Sequence, residues 1–270
     1  ATGPLSRNWQ TRLGIGREDY WAIEGWDHET TRTYFFTDID YTDTELRFAP
    51  YFSYRVYSTG SQDNDWGTYD VWRHVVETGI RGPLTETLRL EAKAGYTFVT
   101  GGDGWEDNIG DSWLYEMGLI HEFGPYTRHS LFMGNVIDFD VNGDERLAQY
   151  MRYSIDQRLG RRLRASGFVQ GADVDETDEG NYEQFLVGGT VSFYFADFTR
   201  MAGTVVYEEI DSNDTDGRDS SERWIYRASL DHRILPGLFG SATYQYEDYT
   251  EPENGYFDEH LVILSLTKTF

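Results

Sequence analysis

Residues 87–99 read TLRLEAKAGYTFV, and this stretch gives the clearest indication of the secondary structure. Apolar side chains such as Leu88 and Phe98 occupy every second position, while Arg89 and Lys93 fall at the positions between them. Successive side chains of a β-strand point to opposite faces, whereas an α-helix would scatter these residues around its axis. The stretch therefore predicts a strand with one apolar face and one charged face.

The same alternation recurs along the whole chain. In residues 223–233, Trp224 and Tyr226 oppose Arg223 and Arg227. The second and seventh predicted strands alternate poorly, so their facing is not assigned. Breaks rich in Gly, Pro and Asp separate fourteen predicted strands, near residues 8–16, 30–40, 45–57, 69–80, 86–99, 112–123, 128–137, 146–157, 163–172, 183–195, 200–209, 223–233, 238–248 and 259–270.

The connections between these strands are alternately short and long. The short ones have the chemistry of tight turns and lie at 41–45, 81–86, 123–127, 158–163, 195–199 and 234–238. The long ones hold thirty of the 47 acidic residues and lie at 17–30, 58–68, 100–111, 138–145, 173–182, 210–222 and 248–259. Short turns at one end and long loops at the other are typical of a transmembrane β-barrel, and an even strand number puts both termini at one end.

The composition agrees with a membrane barrel. The chain has 20 Tyr, 16 Phe and 8 Trp at a mean hydropathy of −0.60, and Tyr and Trp suit a boundary between water and lipid. No apolar run is long enough for a spanning helix. We predict an all-β fold, a closed antiparallel transmembrane β-barrel of fourteen strands in an up-and-down meander, as a single domain over residues 1–270. The alternative is a soluble β-sandwich or barrel whose apolar face points inwards.

The C-terminal segment EHLVILSLTKTF ends in Phe270, with Val262, Leu264 and Leu266 at every second position before it. This segment resembles the C-terminal assembly signal of bacterial outer-membrane barrels. In size, strand count and loop asymmetry the whole chain resembles the monomeric fourteen-stranded porins, and also the narrower barrels that pass acidic oligosaccharides. The resemblance is architectural, implies integral insertion in the bacterial outer membrane, and transfers no functional residue.

If the apolar faces meet lipid, the charged faces line the lumen. A barrel of this strand number is too wide for side chains alone to fill, so facing cations and anions would select solutes by charge and size. The alternative is that these charges pair and only stiffen the wall. The predicted lumen-lining residues are Arg12, Arg47, Arg55, Arg73, Arg89, Lys93, Arg152, Arg164, Arg223, Arg227 and Arg233, with Glu77, Glu91, Glu116, Asp156, Glu183, Glu208, Asp231 and Glu247.

These features predict a porin-like channel for passive diffusion of small hydrophilic solutes or ions, with no catalytic residue and no required cofactor. The expected surroundings are outer-membrane lipid and lipopolysaccharide, and the net charge of −24 argues against binding of nucleic acid. A homo-oligomer, or a surface partner bound through the loops, stays open. The alternative function is a structural or adhesive barrel whose acidic loops bind a partner or Ca²⁺.

Two motifs in the long connections define weaker hypotheses. Residues 138–143, DFDVNG, have the spacing of a calcium-binding loop, although the flanking strands exclude an EF-hand. A hydrolase at the rim is the third hypothesis, because closure would bring the first and last strands together and a histidine beside a carboxylate could activate water. The predicted calcium ligands are Asp138, Asp140, Asn142 and Asp144, and the rim candidates are Asp27, His28, Asp258 and His260.

Overall fold

The computed structural model describes residues 2–6, 8–21, 29–42, 46–63, 67–101, 111–139, 145–176, 180–196, 198–214, 217–251 and 255–268. Those residues include no helix that is long and apolar enough to cross a membrane. They form one antiparallel sheet with fifteen strands in sequence order. The strands are β1 (Thr2–Ser6), β2 (Trp9–Trp21), β3 (Glu29–Tyr41), β4 (Ala49–Asp63), β5 (Gly67–Pro83), β6 (Leu88–Gly101), β7 (Ser112–Phe123), β8 (Thr127–Phe139), β9 (Glu145–Arg158), β10 (Leu163–Glu176), β11 (Gly180–Ala196), β12 (Thr199–Asp214), β13 (Gly217–Leu235), β14 (Leu238–Glu251) and β15 (Gly255–Lys268).

The fourteen predicted strands correspond one to one with β2 to β15, and β1 is additional. β1 pairs antiparallel with β2, with Ser6 opposite Trp9. Gly3 and Pro4 conceal this strand in the sequence, because proline cannot donate to a strand ladder and is confined to edge strands. β1 is such an edge strand, so the predicted count of fourteen is corrected to fifteen.

The predicted closure is absent from the described residues. β1 and β15 stand at the two ends of the strand order, and each hydrogen-bonds to one neighbouring strand in the part of the chain that the structure describes. The predicted closure rests on an even strand number and on the alternation of short and long connections. Neither property specifies a pairing between the first and last strands.

Long parts of the acidic segments are strands rather than loops. β12 and β13 stay paired as far as Asp214 opposite Gly217, and β14 and β15 as far as Glu251 opposite Gly255. The predicted loops at 210–222 and 248–259 are therefore corrected to hairpin extensions. Ladder hydrogen bonds join backbone groups, so two strands that are already adjacent can remain paired through an acidic sequence that resembles turn chemistry.

The chain divides into two compact units. The first comprises Ala1–Leu119, Phe132–Gln149 and Val174–Gly180 and contains β1 to β6 complete. The second comprises Ile120–Leu131, Tyr150–Asp173 and Asn181–Phe270 and contains β12 to β15 complete. A single domain over residues 1–270 stays a prediction.

Burial in the sheet is the reverse of burial in a soluble protein. Buried side chains include the charged residues Arg73, Glu77 and Glu208, whereas Ile15 is 79% exposed and Trp113 is 74% exposed. A soluble sandwich would bury its apolar side chains and expose its charges, so the described residues exclude that alternative. We call the two surfaces of the sheet the shielded face, which carries Asp38, Arg73, Thr97, Glu208 and Gln245, and the exposed face, which carries Ile15, Trp113, Met151, Val205 and Leu230.

Candidate functional site

Strand register assembles a row of polar side chains across β2 to β5 on the shielded face. Arg12 lies opposite Asp38, Asp38 opposite Ser53, and Ser53 opposite Glu77. Directly opposed residues of antiparallel strands share a face and lie close enough to interact. Arg12 donates to Asp38 at 2.6 Å, and the Ser53 hydroxyl donates to the same carboxylate at 2.8 Å. Arg12, Asp38 and Ser53 are therefore joined by hydrogen bonds, and Glu77 extends the row by register.

Glu77 is the centre of the adjoining charge cluster. Its carboxylate lies 3.0 Å from Lys93 Nζ and 4.0 Å from Arg55, and Lys93 also lies 3.9 Å from Glu116. The residue opposite Glu77 is Gly95, where an added Cβ would lie 2.8 Å from Glu77 Cγ. Glycine thus leaves the space that the carboxylate occupies. A buried carboxylate with two cations near it follows the rule that buried charges are paired.

Two more arginines extend this cluster. Arg73 is only 1% exposed and donates to the fully buried Thr97 hydroxyl at 2.9 Å. Arg81 lies opposite Glu91 and donates to Asp40 at 2.9 Å. The shielded face of the first unit thus alternates cations and anions over several neighbouring strands.

The second unit carries its own network on β11 to β14. Arg223 is paired with Glu208 and lies 3.5 Å from Glu247. Gln184 donates to Glu208 at 2.5 Å, while the Tyr249 hydroxyl donates to Glu247 at 2.6 Å and accepts from Arg223 at 2.7 Å. Both carboxylates are less than a tenth exposed. A buried polar network of this kind is rigid when its members satisfy one another.

Aromatic rings on the shielded face rest on glycines of the adjacent strand. An added Cβ at Gly14 would lie 2.2 Å from the Phe36 ring, and one at Gly16 would lie 2.2 Å from the Tyr34 ring. The rings therefore occupy the space that a side chain on the neighbouring strand would fill. Such pairs are Gly14 with Phe36, Gly16 with Tyr34, Gly79 with Tyr51, Gly118 with Phe132 and Gly188 with Phe168.

Comparison with known proteins defines the fold. No family model and no curated protein matches the chain. An anion-selective porin from Comamonas acidovorans is similar in structure, with a TM-score of 0.57 and 9% identity over 97% of this chain and 100% of the porin. In-vitro folded OmpT, an outer membrane protein of Vibrio cholerae, has a TM-score of 0.53 and 14% identity over 98% of this chain and 94% of that chain.

A second OmpT structure, of the protein expressed in the outer membrane of Vibrio cholerae, has a TM-score of 0.53 and 12% identity over 94% of this chain and 95% of that chain. The chain has the fold of the integral bacterial outer-membrane β-barrels. The prediction of such a barrel from the sequence is thereby confirmed. Identities this low show the fold alone.

The exposed face has the aromatic rows expected of this fold. Tyr207 and Trp224 lie 4.9 Å apart between ring centroids, Trp224 and Tyr226 lie 6.2 Å apart, and Tyr226 and Tyr246 lie 6.0 Å apart. They form one row across β12, β13 and β14. Outer-membrane barrels carry such girdles where the apolar band meets the interfaces.

Most of the predicted lumen-lining residues lie on the shielded face. Glu183 does not. The shielded face of β11 carries Tyr182, Gln184 and Ser192, so Glu183 lies on the exposed face near the strand end. Arg47 precedes β4 and donates to the Pro83 and Leu84 carbonyls, so it joins two turns. The residues on the shielded face are Arg12, Arg55, Arg73, Glu77, Arg89, Glu91, Lys93, Glu116, Arg152, Asp156, Arg164, Glu208, Arg223, Arg227, Asp231, Arg233 and Glu247.

The predicted calcium site lies outside the described residues. Residues 140–144 are not described, and neither is the side chain of Asp138. The ligands Asp140, Asn142 and Asp144 therefore stay predictions. Within the described ranges, no three His, Asp or Glu side chains gather as metal ligands.

The rim candidates are described only in part, because Asp27 and His28 lie outside the described residues. His260 Nε2 lies 3.1 Å from Asp258, and its Nδ1 is hydrogen-bonded to the Tyr244 hydroxyl at 2.7 Å. The imidazole also lies 5.0 Å from the Tyr246 ring. His260 is therefore part of the aromatic surface of the exposed face.

Several polar and charged residues of the shielded face were not predicted from the sequence. Asp38 lies in a strand whose facing the sequence did not assign, and Gln245 and Tyr249 carry no charge that would mark them. Only their positions in the sequence indicate where they point. Each lies two residues from Glu247, so the three side chains share one face of the strand. Arg128 was missed for the same reason as Asp38, since β8 alternates poorly.

Proposed function

We propose that the chain is an outer-membrane channel through which small hydrophilic solutes or ions diffuse passively. The observation that carries this proposal is the reversed burial of the sheet, with paired charges on the shielded face and large apolar side chains on the exposed face. In an outer-membrane barrel the outward band is apolar and the interior is polar. The shielded face then lines an aqueous passage, and the exposed face contacts lipid.

β15 carries apolar side chains on the exposed face of the sheet. Val262, Leu264 and Leu266 are all more than three fifths exposed, as suits a lipid-facing strand.

The charge pairs would set the charge selectivity of the passage. Arg223 between Glu208 and Glu247, and Lys93 between Glu77 and Glu116, present both signs on the same wall. Fixed charges of both signs create a local field that selects solutes by charge. Because these side chains hold one another, they also restrain the width of the passage.

The arrangement around His260 gives no support to catalysis. The described groups that contact it are the Asp258 carboxylate and the aromatic rings of Tyr244 and Tyr246. A hydrolase needs a base beside a nucleophile or water, with donors for the developing charge. We therefore base the proposed passive transport on the shielded face and not on the surroundings of His260.

Conductance across a planar bilayer tests the channel. The protein is refolded, its folded state is established by its altered gel migration without heating, and current is recorded under a salt gradient. We expect discrete openings with a reproducible reversal potential. A silent bilayer containing folded, inserted protein would overturn the proposal.

A further inference from the structure

We propose that Arg128, Arg152 and Arg164, on the shielded face of the second unit, form a binding site for small organic anions that carry a carboxylate. The inference rests on the proposed channel for its role, since a solute would meet this site inside the passage. The binding itself is a separate property of the folded protein and can be measured without transport.

The three arginines line one cavity of about 220 Å³. They come from β8, β9 and β10, and the serines that follow them by two residues, Ser130 and Ser154 among them, line the same cavity. The repeated spacing places arginine and serine on the same face of each strand, because side chains alternate with period two. Three consecutive strands therefore supply one guanidinium and one hydroxyl each.

The cavity has more cations than anions. Its one carboxylate, Asp156, is held by Arg164 through Nε at 2.8 Å and through Nη2 at 2.6 Å. Arg128 and Arg152 have no carboxylate partner among the described residues. In a chain with a net charge of −24, this surplus of positive charge is a local exception.

Two other cations of the shielded face show a contrast. Arg223 and Lys93 each lie within 4.0 Å of two carboxylates. A guanidinium that is partly shielded from water gains most from an acceptor that carries charge. Arg152 is half-buried and lacks a charged acceptor among the described residues, so a bound anion would supply one, with the more exposed Arg128 lining the same cavity.

Arg152 is already positioned for such an anion. Its guanidinium carbon lies 4.2 Å from the centroid of the Phe168 ring, and its Nη1 donates to the side-chain Oε1 of Gln170 at 3.4 Å. Phe168 itself rests on Gly188, where an added Cβ would lie 2.7 Å from the ring. A stacked guanidinium keeps its N–H groups in one plane, which matches the two oxygens of a carboxylate.

Neutral donors complete the site. Ser130 and Ser154 are hydrogen-bonded to each other at 2.7 Å, and Ser166 and Thr190 also line the cavity. Hydroxyl groups can turn to donate to an anion at little cost. The Phe168 ring offers an apolar surface to a carbon chain, and this favours an organic acid over an inorganic anion.

Calorimetric titration of the refolded protein in detergent micelles with sodium succinate tests the site. The variant R128Q/R152Q removes the two arginines that lack a carboxylate partner. The matched control is R161Q/R162Q, which removes the same charge from exposed residues outside the cavity. We expect saturable binding by the unaltered protein and the control, and at least a roughly tenfold weaker affinity in R128Q/R152Q.

Two further measurements keep the test decisive if R128Q/R152Q folds poorly. R152K retains the charge but loses the planar donor pair, so we expect a severalfold weaker affinity for succinate. Inorganic phosphate should bind more weakly than succinate to the unaltered protein. Equal affinities in R128Q/R152Q and R161Q/R162Q would overturn the site, and phosphate binding as tightly as succinate would overturn the assignment to carboxylates.

The channel and the binding site can fail separately. A silent bilayer with intact succinate binding would remove the proposed channel and leave the site. A conducting channel whose R128Q/R152Q variant binds succinate normally would remove the site and leave the channel. Succinate should also reduce the current of the unaltered channel. Loss of that block in R128Q/R152Q would place the succinate site inside the passage.

Discussion

Two neighbouring residues of β13 illustrate how the two faces of the sheet differ. Ser229 lies on the shielded face opposite Ala202 and Thr243, whereas Leu230 lies on the exposed face and is 46% exposed. In a soluble protein the leucine would be the buried residue of the two. The inverted arrangement indicates that the exposed face meets an apolar medium, and it supports the proposed aqueous passage along the shielded face.

Polar groups on the two faces are also satisfied in different ways. On the shielded face, charged residues bind charged residues of neighbouring strands, as Arg223 binds Glu208. On the exposed face, histidines bind tyrosine hydroxyls within the same face, as His74 binds Tyr54 at 2.7 Å. Lipid offers few hydrogen-bond partners, so polar groups there must satisfy one another.

The largest effect is expected when a charge is moved to the exposed face. Leu230→Arg places a guanidinium in the apolar band and should destabilise the protein in lipid vesicles by about 2–4 kcal/mol. Ser229→Arg, one residue away on the shielded face, should cost less than half as much. Urea unfolding of both variants in vesicles measures the difference. Equal losses would break the distinction between the faces.

Glycine substitutions should have the second-largest effect, and their cost should differ between the two faces. Gly95→Ala on the shielded face would put a Cβ 2.4 Å from the Val76 carbonyl oxygen, so the strands must move apart. We expect a loss of about 1–3 kcal/mol. Gly203→Ala on the exposed face meets no atom within 4 Å and should change the free energy of unfolding by less than about 0.5 kcal/mol. A comparable loss in both would contradict this account.

Removal of one carboxylate should act mainly on the shielded face. Glu208→Gln takes a charged partner from Arg223 and should lower the free energy of unfolding by about 1–2 kcal/mol. It should also shift the reversal potential towards anions. Glu183→Gln makes the same chemical change on the exposed face and should leave both quantities nearly unaltered. An equal shift in reversal potential from both variants would argue against a lumen lined by the shielded face.

The smallest effect is expected for the ion pair of Arg81 and Asp40, which is one of the more exposed pairs on the shielded face. Asp40→Asn removes the partner of Arg81, whose side chain is half exposed. Because solvent-exposed pairs contribute little, we expect a change below about 0.5 kcal/mol in urea unfolding. A large loss would show that this pair is shielded from water in the membrane.

The sequence was informative wherever one face is continuously apolar. The breaks in the sequence located every strand from β2 to β15, and period-two alternation oriented β6, β9 and β13 correctly. Alternation survives in these strands because lipid excludes polar side chains from one face. β1 was missed because Gly3 and Pro4 conceal a strand that needs only one neighbour.

The rest depended on contacts that a single strand does not encode. Asn135 of β8 binds the Tyr115 amide and the Trp113 carbonyl of β7 with its side chain, so its burial follows no alternation. Glu183 lies near a strand end, where acidic residues occur on both faces and the phase is ambiguous. The pocket around Arg128 depends on the alignment of three strands, and no local pattern specifies that alignment.

Thiol labelling can measure which face of the sheet meets water, because the chain has no cysteine of its own. Single cysteines are placed at Arg227, Ala228, Ser229 and Leu230, and the refolded variants in lipid vesicles are treated with a charged, membrane-impermeant maleimide. We expect R227C and S229C to react and A228C and L230C to be protected. Reaction at all four positions, or the opposite alternation, would contradict the assignment of water to the shielded face and lipid to the exposed face.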